Sequence, residues 1–175
     1  MSCKRIEMKA RRTLKGREES KGFDGALIRR NRQLFQNYTR LRREYAYEVS
    51  PERAAVAFEI IPALLNLNEE HLPGHVAEGE KACGICGMNI SQDVRKAIHD
   101  YFPETRNRLN AYRRHFTGRP AIESLFLMGS IGTVAQTGKS DFDYWVCVDL
   151  REISEPGAEK LSEKTAQIAH WCRDK

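Results

Sequence analysis

One stretch, residues 125–150, constrains this chain more than any other because it places two acidic residues at the start of a strand. It reads LFLMGSIGTVAQTGKSDFDYWVCVDL: an apolar run ends in Gly129-Ser130, a polar loop follows, and Asp141 and Asp143 open a second apolar run. Since side chains alternate along a strand, we expect both carboxylates on one face. Two carboxylates held close together repel each other unless a cation lies between them.

The chemistry of this stretch favours a metal ion bound together with phosphates. Hard divalent ions such as Mg²⁺ prefer oxygen ligands and usually bind in proteins alongside nucleotide phosphates. Gly129 allows close backbone approach and Ser130 offers a hydroxyl, so the end of the first strand suits those phosphates. The alternative is that the two carboxylates only cap a loop and face water; the upstream strand-Gly-Ser element favours the Mg²⁺ site, with Mn²⁺ as an alternative ion.

The same residues carry a resemblance to a known family. Gly-Ser, about ten residues, and Asp-x-Asp opening a buried strand resemble the signature of the nucleotidyltransferase fold, the polymerase-β-like superfamily. The wording MGSIGTVAQTGKSDFDYWVC resembles the catalytic core of class I bacterial adenylate cyclases more closely. A second block, IIPALLNLNEEHLPGHVAEGEKACGIC, resembles the segment before that motif in the same family, through Leu64-Leu65, Pro73-Gly74 and Gly84-Ile85-Cys86. The resemblance covers roughly residues 35–172.

The resemblance implies a Mg²⁺-dependent enzyme that converts ATP to cyclic AMP and pyrophosphate. It implies that Asp141 and Asp143 are the catalytic residues and hold the metal ions. It also implies a set of substrate-binding residues: Gly129, Ser130, Lys139 and Ser140. For Lys139 the sequence favours the alternative of an ordinary surface lysine.

The resemblance further implies a third carboxylate on a later strand, which this sequence does not offer. Asp149 shares the strand and face parity of the pair, but it lies six residues beyond Asp143, too far to complete the set. We therefore expect a fragment, a truncated gene product or an isolated domain, with weak or absent activity by itself.

Two other functions stay open because a fold does not fix the acceptor of a transferred nucleotide. The first is transfer of a nucleoside monophosphate to another acceptor, such as an antibiotic hydroxyl, a protein side chain or an RNA end. The second is a non-catalytic fragment that binds nucleotide or a partner protein. A regulatory protein partner that contacts other parts of a full-length protein is also left open.

Composition indicates a charge-rich globular protein. The chain has 175 residues, of which 41% are hydrophobic and 30% charged, enough for one domain or a small domain with a helical extension. No window approaches the roughly 18 apolar residues of a membrane span, and the N-terminus lacks a secretory signal, so we expect a cytoplasmic location. The net charge is +5, but the basic excess lies in the first 45 residues, so nucleic-acid binding is not expected.

The sequence predicts an α+β fold: a helical N-terminal part followed by a partial nucleotidyltransferase core with a mixed sheet flanked by helices. We divide the chain into a flexible or partly helical basic tail (1–24), a helical region (25–120) and a partial nucleotidyltransferase core (121–175). Predicted helices cover about 25–47, with an apolar stripe from Leu27 to Tyr45, then 51–67 with a kink or break at Pro62, 91–101, 104–116 and 154–172. Predicted strands cover about 122–128 and 144–148.

A histidine and cysteine cluster offers a weaker metal hypothesis. His71, His75, Cys83 and Cys86 combine two histidines with a C-x-x-C pair. No second C-x-x-C exists, and the neighbouring Gly84 fits a tight turn, so we favour a turn over a zinc site. Five scattered cysteines without an export signal favour free thiols over disulfides.

Overall fold

The structure is a computed structural model, and it describes residues 24–77, 82–105 and 119–173 together with the backbone of residues 5–11. The helices are α1 (Gly25–Val49), α2 (Pro51–Ala55), a π-helical turn (Val56–Ile60), α3 (Ile61–Asn66), α4 (Gln92–Tyr101), a 3₁₀ turn (Pro103–Thr105) and α5 (Glu155–Arg173). The strands are β1 (Arg5–Arg11), β2 (Ser124–Met128) and β3 (Asp143–Asp149). This content confirms the α+β prediction at the level of fold class.

The three strands form one mixed sheet in the order β1-β3-β2, with β3 in the centre. β2 runs antiparallel to β3, and β1 runs parallel to it. Along β3, Tyr144, Val146 and Val148 are buried, whereas Trp145 on the opposite face is 39% exposed. This alternation follows the two-residue period of a strand, so one face of the sheet lies on the core and the other is open.

The core lies between the inner face of the sheet and the helices that follow α1. Buried apolar side chains of the π-helical turn and α3, including Ile60, Ile61, Leu64 and Leu65, pack with the buried residues of β3 and α5. The hydroxyl of Tyr144 donates a hydrogen bond to the carbonyl of Ala57 in the π-helical turn. The central strand is therefore tied to the helical region by both apolar packing and a buried polar contact.

The helical stretch from Pro51 to Asn66 confirms the predicted break near Pro62. Proline has no N–H and crowds the preceding turn, so a regular helix cannot pass through it undisturbed. Here the chain widens into the π-helical turn immediately before α3, with Pro62 in the first turn of α3. Ser50 immediately precedes α2, but its side chain makes no capping hydrogen bond.

Helix α1 confirms the predicted amphipathic helix but not the packing of its apolar stripe. Every residue from 24 to 41 is exposed, and Leu27, Leu34 and Leu41 are each more than half exposed. Among the described residues, the last turns of α1 contact the rest of the protein, through Ala46, through Arg42, and through hydrogen bonds from Arg43 and Tyr47 to Glu59. The first half of α1 therefore projects from the described part of the molecule.

Other predicted elements agree with the structure at their centres. Ser91 caps α4 by accepting a hydrogen bond from the N–H of Val94 at 3.3 Å, and the turn at Gly74 has a positive φ of 87°. The predicted strand at 122–128 begins at Ser124, because Ile122 instead forms an isolated bridge with Ile85. The helix predicted at 104–116 falls mostly outside the described residues.

Strand β1 was not predicted, since it lies within the stretch interpreted as a flexible or partly helical tail. Its sequence RIEMKAR alternates charged residues with Ile6, Met8 and Ala10, which is the period of a half-buried strand. The many charges concealed this pattern.

Among the described helices, none is long and apolar enough to cross a membrane.

Candidate active site

The register of the sheet brings the Gly-Ser element against the second aspartate. Met128, the last residue of β2, pairs with Asp143, the first residue of β3. Gly129 follows with a positive φ of 80°, and a Cβ added to it would lie 3.3 Å from Oδ2 of Asp143. A side chain at this position would fill the space beside the carboxylate, so glycine keeps that space open.

Asp141 lies just before β3 rather than within it. The strand begins at Asp143, so the alternation that predicts a shared face does not strictly apply to Asp141. Its backbone carbonyl nevertheless faces Gly129, at 3.9 Å from the position of an added Cβ. Both aspartates are half-buried, and both lie beside Gly129.

The loop between the two strands is closed by a short network of hydroxyl groups. Ser130 donates from its Oγ to Oγ of Ser140 at 2.7 Å, and the N–H of Thr137 donates to the same Ser140 oxygen at 2.8 Å. The carbonyl of Ser130 in turn accepts hydrogen bonds from the N–H and Oγ1 of Thr133. Ser140 is buried, and the hydrogen bonds to its Oγ hold the two ends of the loop together, in addition to any role toward phosphate.

Arg42 of α1 binds the first end of this loop. Its Nε donates to the carbonyl of Ile131 at 2.5 Å, its Nη1 to Leu127 at 2.9 Å, and its Nη2 to Gly129 at 3.0 Å. A longer contact of 3.5 Å joins Nη2 to the carbonyl of Met128. A single guanidinium therefore reaches the carbonyls of the strand end and of the turn that follows it.

Arg53 of α2 binds the second end of the loop. It donates from Nη2 to the carbonyl of Ser140, and its guanidinium carbon lies 4.8 Å from the centre of the Phe142 ring. Both Arg53 and Phe142 are buried. Because Phe142 lies between the two aspartates in sequence, this contact fixes the segment that carries both carboxylates.

The remaining sequence candidates lie at the edge of the site or outside it. Lys139 is exposed, next to Ser140. Asp149 lies at the far end of β3 and forms an ion pair with Arg151, which holds the pKa of Asp149 well below its ordinary value. That pairing and its distance along the strand separate Asp149 from the pair of aspartates.

Sequence reasoning missed Arg42 and Arg53, and only Arg42 left a signal. Arg42 is four residues after Tyr38 and three before Tyr45, so a charged residue occupies a position of the apolar stripe of α1. A charge at such a position indicates a specific partner. Arg53 follows an ordinary helix start, and nothing in the sequence marks it.

The donor set at the site fits a Mg²⁺ ion that arrives with a nucleotide. Mg²⁺ usually binds through one or two carboxylates together with substrate phosphates and water. Asp141 and Asp143 can supply the carboxylates, and Gly129 places no side chain beside Oδ2 of Asp143. Within the described ranges, no group of three or more His, Cys, Asp or Glu side chains could hold a metal ion, and this includes the described members of the His71 to Cys86 cluster.

Comparison with known proteins identifies the family. The family described as "Adenylate cyclase NT domain" matches residues 28–175. The chain belongs to this family. The adenylate cyclase of Pasteurella multocida (strain Pm70) is 31% identical over 137 residues, which cover 77% of this chain and 16% of that protein. The adenylate cyclase of Haemophilus influenzae (strain Rd) is 32% identical over 138 residues, 74% of this chain and 16% of that protein.

Membership in the adenylate cyclase NT-domain family confirms the resemblance drawn from the two motif blocks. A more distant relative, the adenylate cyclase of Escherichia coli (strain K12), is 27% identical over 120 residues, 66% of this chain and 13% of that protein. The chain thus spans about a sixth of the length of the curated relatives it matches. No solved structure gives a significant match.

Proposed function

We propose that this chain carries the nucleotide-binding part of an adenylate cyclase with a nucleotidyltransferase-like core. In the proposed reaction, the ribose 3′ oxygen of ATP forms a bond to the α-phosphorus while the bond to the leaving pyrophosphate breaks, giving cyclic AMP. The observation that carries this proposal is the pairing of Met128 with Asp143, which brings Gly129-Ser130 beside both aspartates in a member of the adenylate cyclase NT-domain family.

The proposed reaction assigns metal binding or phosphate binding to each residue of the site. Asp141 and Asp143 would hold Mg²⁺, or Mn²⁺ in its place, and the bound ion would neutralise charge on the triphosphate. Gly129 would allow close approach of the phosphates, and the N–H of Ser130 would donate a hydrogen bond to them. The hydroxyl of Ser130 would donate to phosphate by giving up its hydrogen bond to Ser140. Lys139, exposed at the end of the loop, can extend toward the same phosphates. Transfer to a separate acceptor is not favoured by relatives that are all named adenylate cyclase.

Substitution of the aspartates tests the proposal. Asp141→Asn and Asp143→Asn should each abolish Mg²⁺-dependent binding of ATP, because each replacement removes a negative charge that the cation requires. The measurement is isothermal titration of ATP with and without Mg²⁺, followed by an assay for cyclic AMP.

Asp149→Asn is the matched control, since Asp149 lies on the same strand but is paired with Arg151. It should bind Mg²⁺-ATP like the parent protein. Equal binding by the parent and by both Asp141→Asn and Asp143→Asn would overturn the metal site. Label transferred from ATP to an added acceptor, without cyclic AMP, would overturn the assignment as a cyclase.

A further inference from the structure

Arg42 orients three peptide groups of the turn by binding their carbonyl oxygens. Three carbonyls, those of Leu127, Gly129 and Ile131, accept hydrogen bonds from one guanidinium at 3.0 Å or less. A trans peptide is planar, so its N–H points away from its C=O. The N–H of Ser130, which shares a peptide with the carbonyl of Gly129, is therefore directed away from Arg42.

The backbone on both sides of Ser130 is held in this orientation. Gly129 and Gly132 have positive φ values of 80° and 72° within this turn, and N–H groups gathered in a turn can form a concave surface that binds anions. The N–H of Gly132, which shares a peptide with the carbonyl of Ile131, already donates to Oε1 of Gln136 at 2.6 Å. The N–H of Ser130 is thus a donor that this turn can offer to a phosphate.

Arg42 is built into this place rather than resting on the surface. The backbone of Gly132 packs directly on the backbone of Arg42, so that an added Cβ at Gly132 would clash with the Arg42 carbonyl. Helix α1 and the turn therefore meet without intervening side chains. Lysine, with one ammonium in place of a planar fork, cannot reach three separate carbonyls in the same way.

We propose that Arg42 is a positioning residue for the triphosphate of the substrate, acting through the backbone of the Gly129-Ser130 turn. By gathering the carbonyls on one side, it presents the N–H of Ser130 to phosphate on the other, and its charge adds positive potential behind that donor. This inference rests on the proposed function, since it assumes that the turn binds phosphates. It assigns to α1 a task in substrate binding as well as in the fold.

The test compares Arg42→Lys with Arg40→Lys. Arg40 is on the same helix, is exposed and, among the described residues, pairs with its helical neighbour Glu44, so its replacement leaves the turn untouched. The affinities for Mg²⁺-ATP and for inorganic tripolyphosphate are measured by titration, and the melting temperature is recorded for each variant. Arg42→Lys should weaken both ligands about tenfold or more, as losses of supporting contacts commonly do. Arg40→Lys should match the parent protein.

The outcomes separate this inference from the proposed function. Equal affinity of the parent and Arg42→Lys overturns the role of Arg42 and leaves the nucleotide site standing. A parent protein that binds neither Mg²⁺-ATP nor tripolyphosphate overturns the proposed function itself.

If Arg42→Lys does not fold, a measurement on the unmodified protein tests whether the N–H of Ser130 is a phosphate donor. In ¹H–¹⁵N spectra, tripolyphosphate should shift the amide signal of Ser130 strongly, whereas the amide of Gly138, an exposed residue of the same loop, should move little. Binding of tripolyphosphate without a shift at Ser130 would overturn the inference.

Discussion

At the scale of single residues, Lys164 is a buried cation whose hydrogen bonds to the described residues include no acidic partner. Its side chain is 1% exposed, and Nζ donates to the carbonyls of Leu67 at 2.6 Å and Gly74 at 2.8 Å. Burial lowers its pKa from 10.5 to about 8. Lys164 thus connects α5 to the turn that follows α3. Burying its charged form costs free energy because the charge loses its hydration.

This shift predicts that the protein becomes more stable between pH 8 and pH 10. In that range the unfolded chain binds a proton at Lys164 that the native state does not, so the free energy of unfolding rises with pH. At about 1.4 kcal/mol per pKa unit, the contribution is roughly 2–3 kcal/mol. Urea denaturation at several pH values measures it. Lys164→Met should remove the rise, and Lys160→Met, a partly exposed lysine of the same helix, should retain it.

Tyr47 sets the upper limit of the pH range over which the stability rises. Burial, together with a hydrogen bond to Glu59, raises the pKa of Tyr47 from 10 to about 12. Above pH 10 the unfolded chain loses this proton before the native state does, so stability then falls as pH rises. A Lys164→Met variant that keeps the full rise below pH 10 would contradict the assignment to Lys164.

At the scale of the element, α1 is divided into an anchored half and a projecting half. Asp24 caps the helix by accepting a hydrogen bond from the N–H of Ala26 at 2.9 Å, and Arg42, Arg43 and Tyr47 hold its last turns. Most of the stability of a helix in a protein comes from its packing against other structure. The anchored half therefore supports the projecting half, whose apolar stripe meets no other described element.

The exposure of that stripe predicts how α1 responds to mutation. Leu34→Ala should change the free energy of unfolding by less than about 0.5 kcal/mol, because Leu34 is 57% exposed and buries little apolar surface. Leu64→Ala is the comparison, since Leu64 in α3 is 1% exposed and its truncation should cost about 2–5 kcal/mol. Chemical denaturation measures both. A cost for Leu34→Ala as large as that for Leu64→Ala would show that the stripe is packed in solution.

At the scale of the whole molecule, α5 closes the core on the side of the 66–76 turn. Leu161, Ile168 and Cys172 are fully or almost fully buried on the face that meets the helical region. Gly74 in the turn leaves room for Ile168, whose Cγ1 would lie 2.6 Å from an added Cβ. The C-terminal helix and the turn before α4 therefore form one packed unit with the sheet.

This packing predicts which thiols react in the native protein. Cys86 is exposed and should be labelled quickly by a thiol reagent, whereas Cys172, 1% exposed, should be labelled only as the core opens. Mass spectrometry of digested protein measures the two rates across a denaturant series. Labelling of Cys172 as fast as that of Cys86 in the absence of denaturant would show that α5 is not docked.

The sequence predicted most of the elements and the polar residues of the candidate site. Local signals fix these features: the two-residue alternation of β3, the Ser91 cap of α4, and the stripe of α5 that includes Leu161 and Ile168. The sequence did not predict β1, whose alternation is masked by charge. It did not predict the π-helical turn, because widening a helix depends on what packs around it.

The sequence by itself determined the family and the residues proposed for the site, since Gly129-Ser130 and the two aspartates are adjacent in one short stretch of chain. Only the tertiary structure decided what holds that motif in shape. Arg42 is more than eighty residues from the turn it binds, and Arg53 is equally distant from Ser140. A side chain's long-range partner depends on how helices and sheet pack, and no local pattern of residues encodes that packing. The support of the site by two arginines is therefore a property of the fold, whereas the residues proposed to bind metal and phosphate are a property of the sequence.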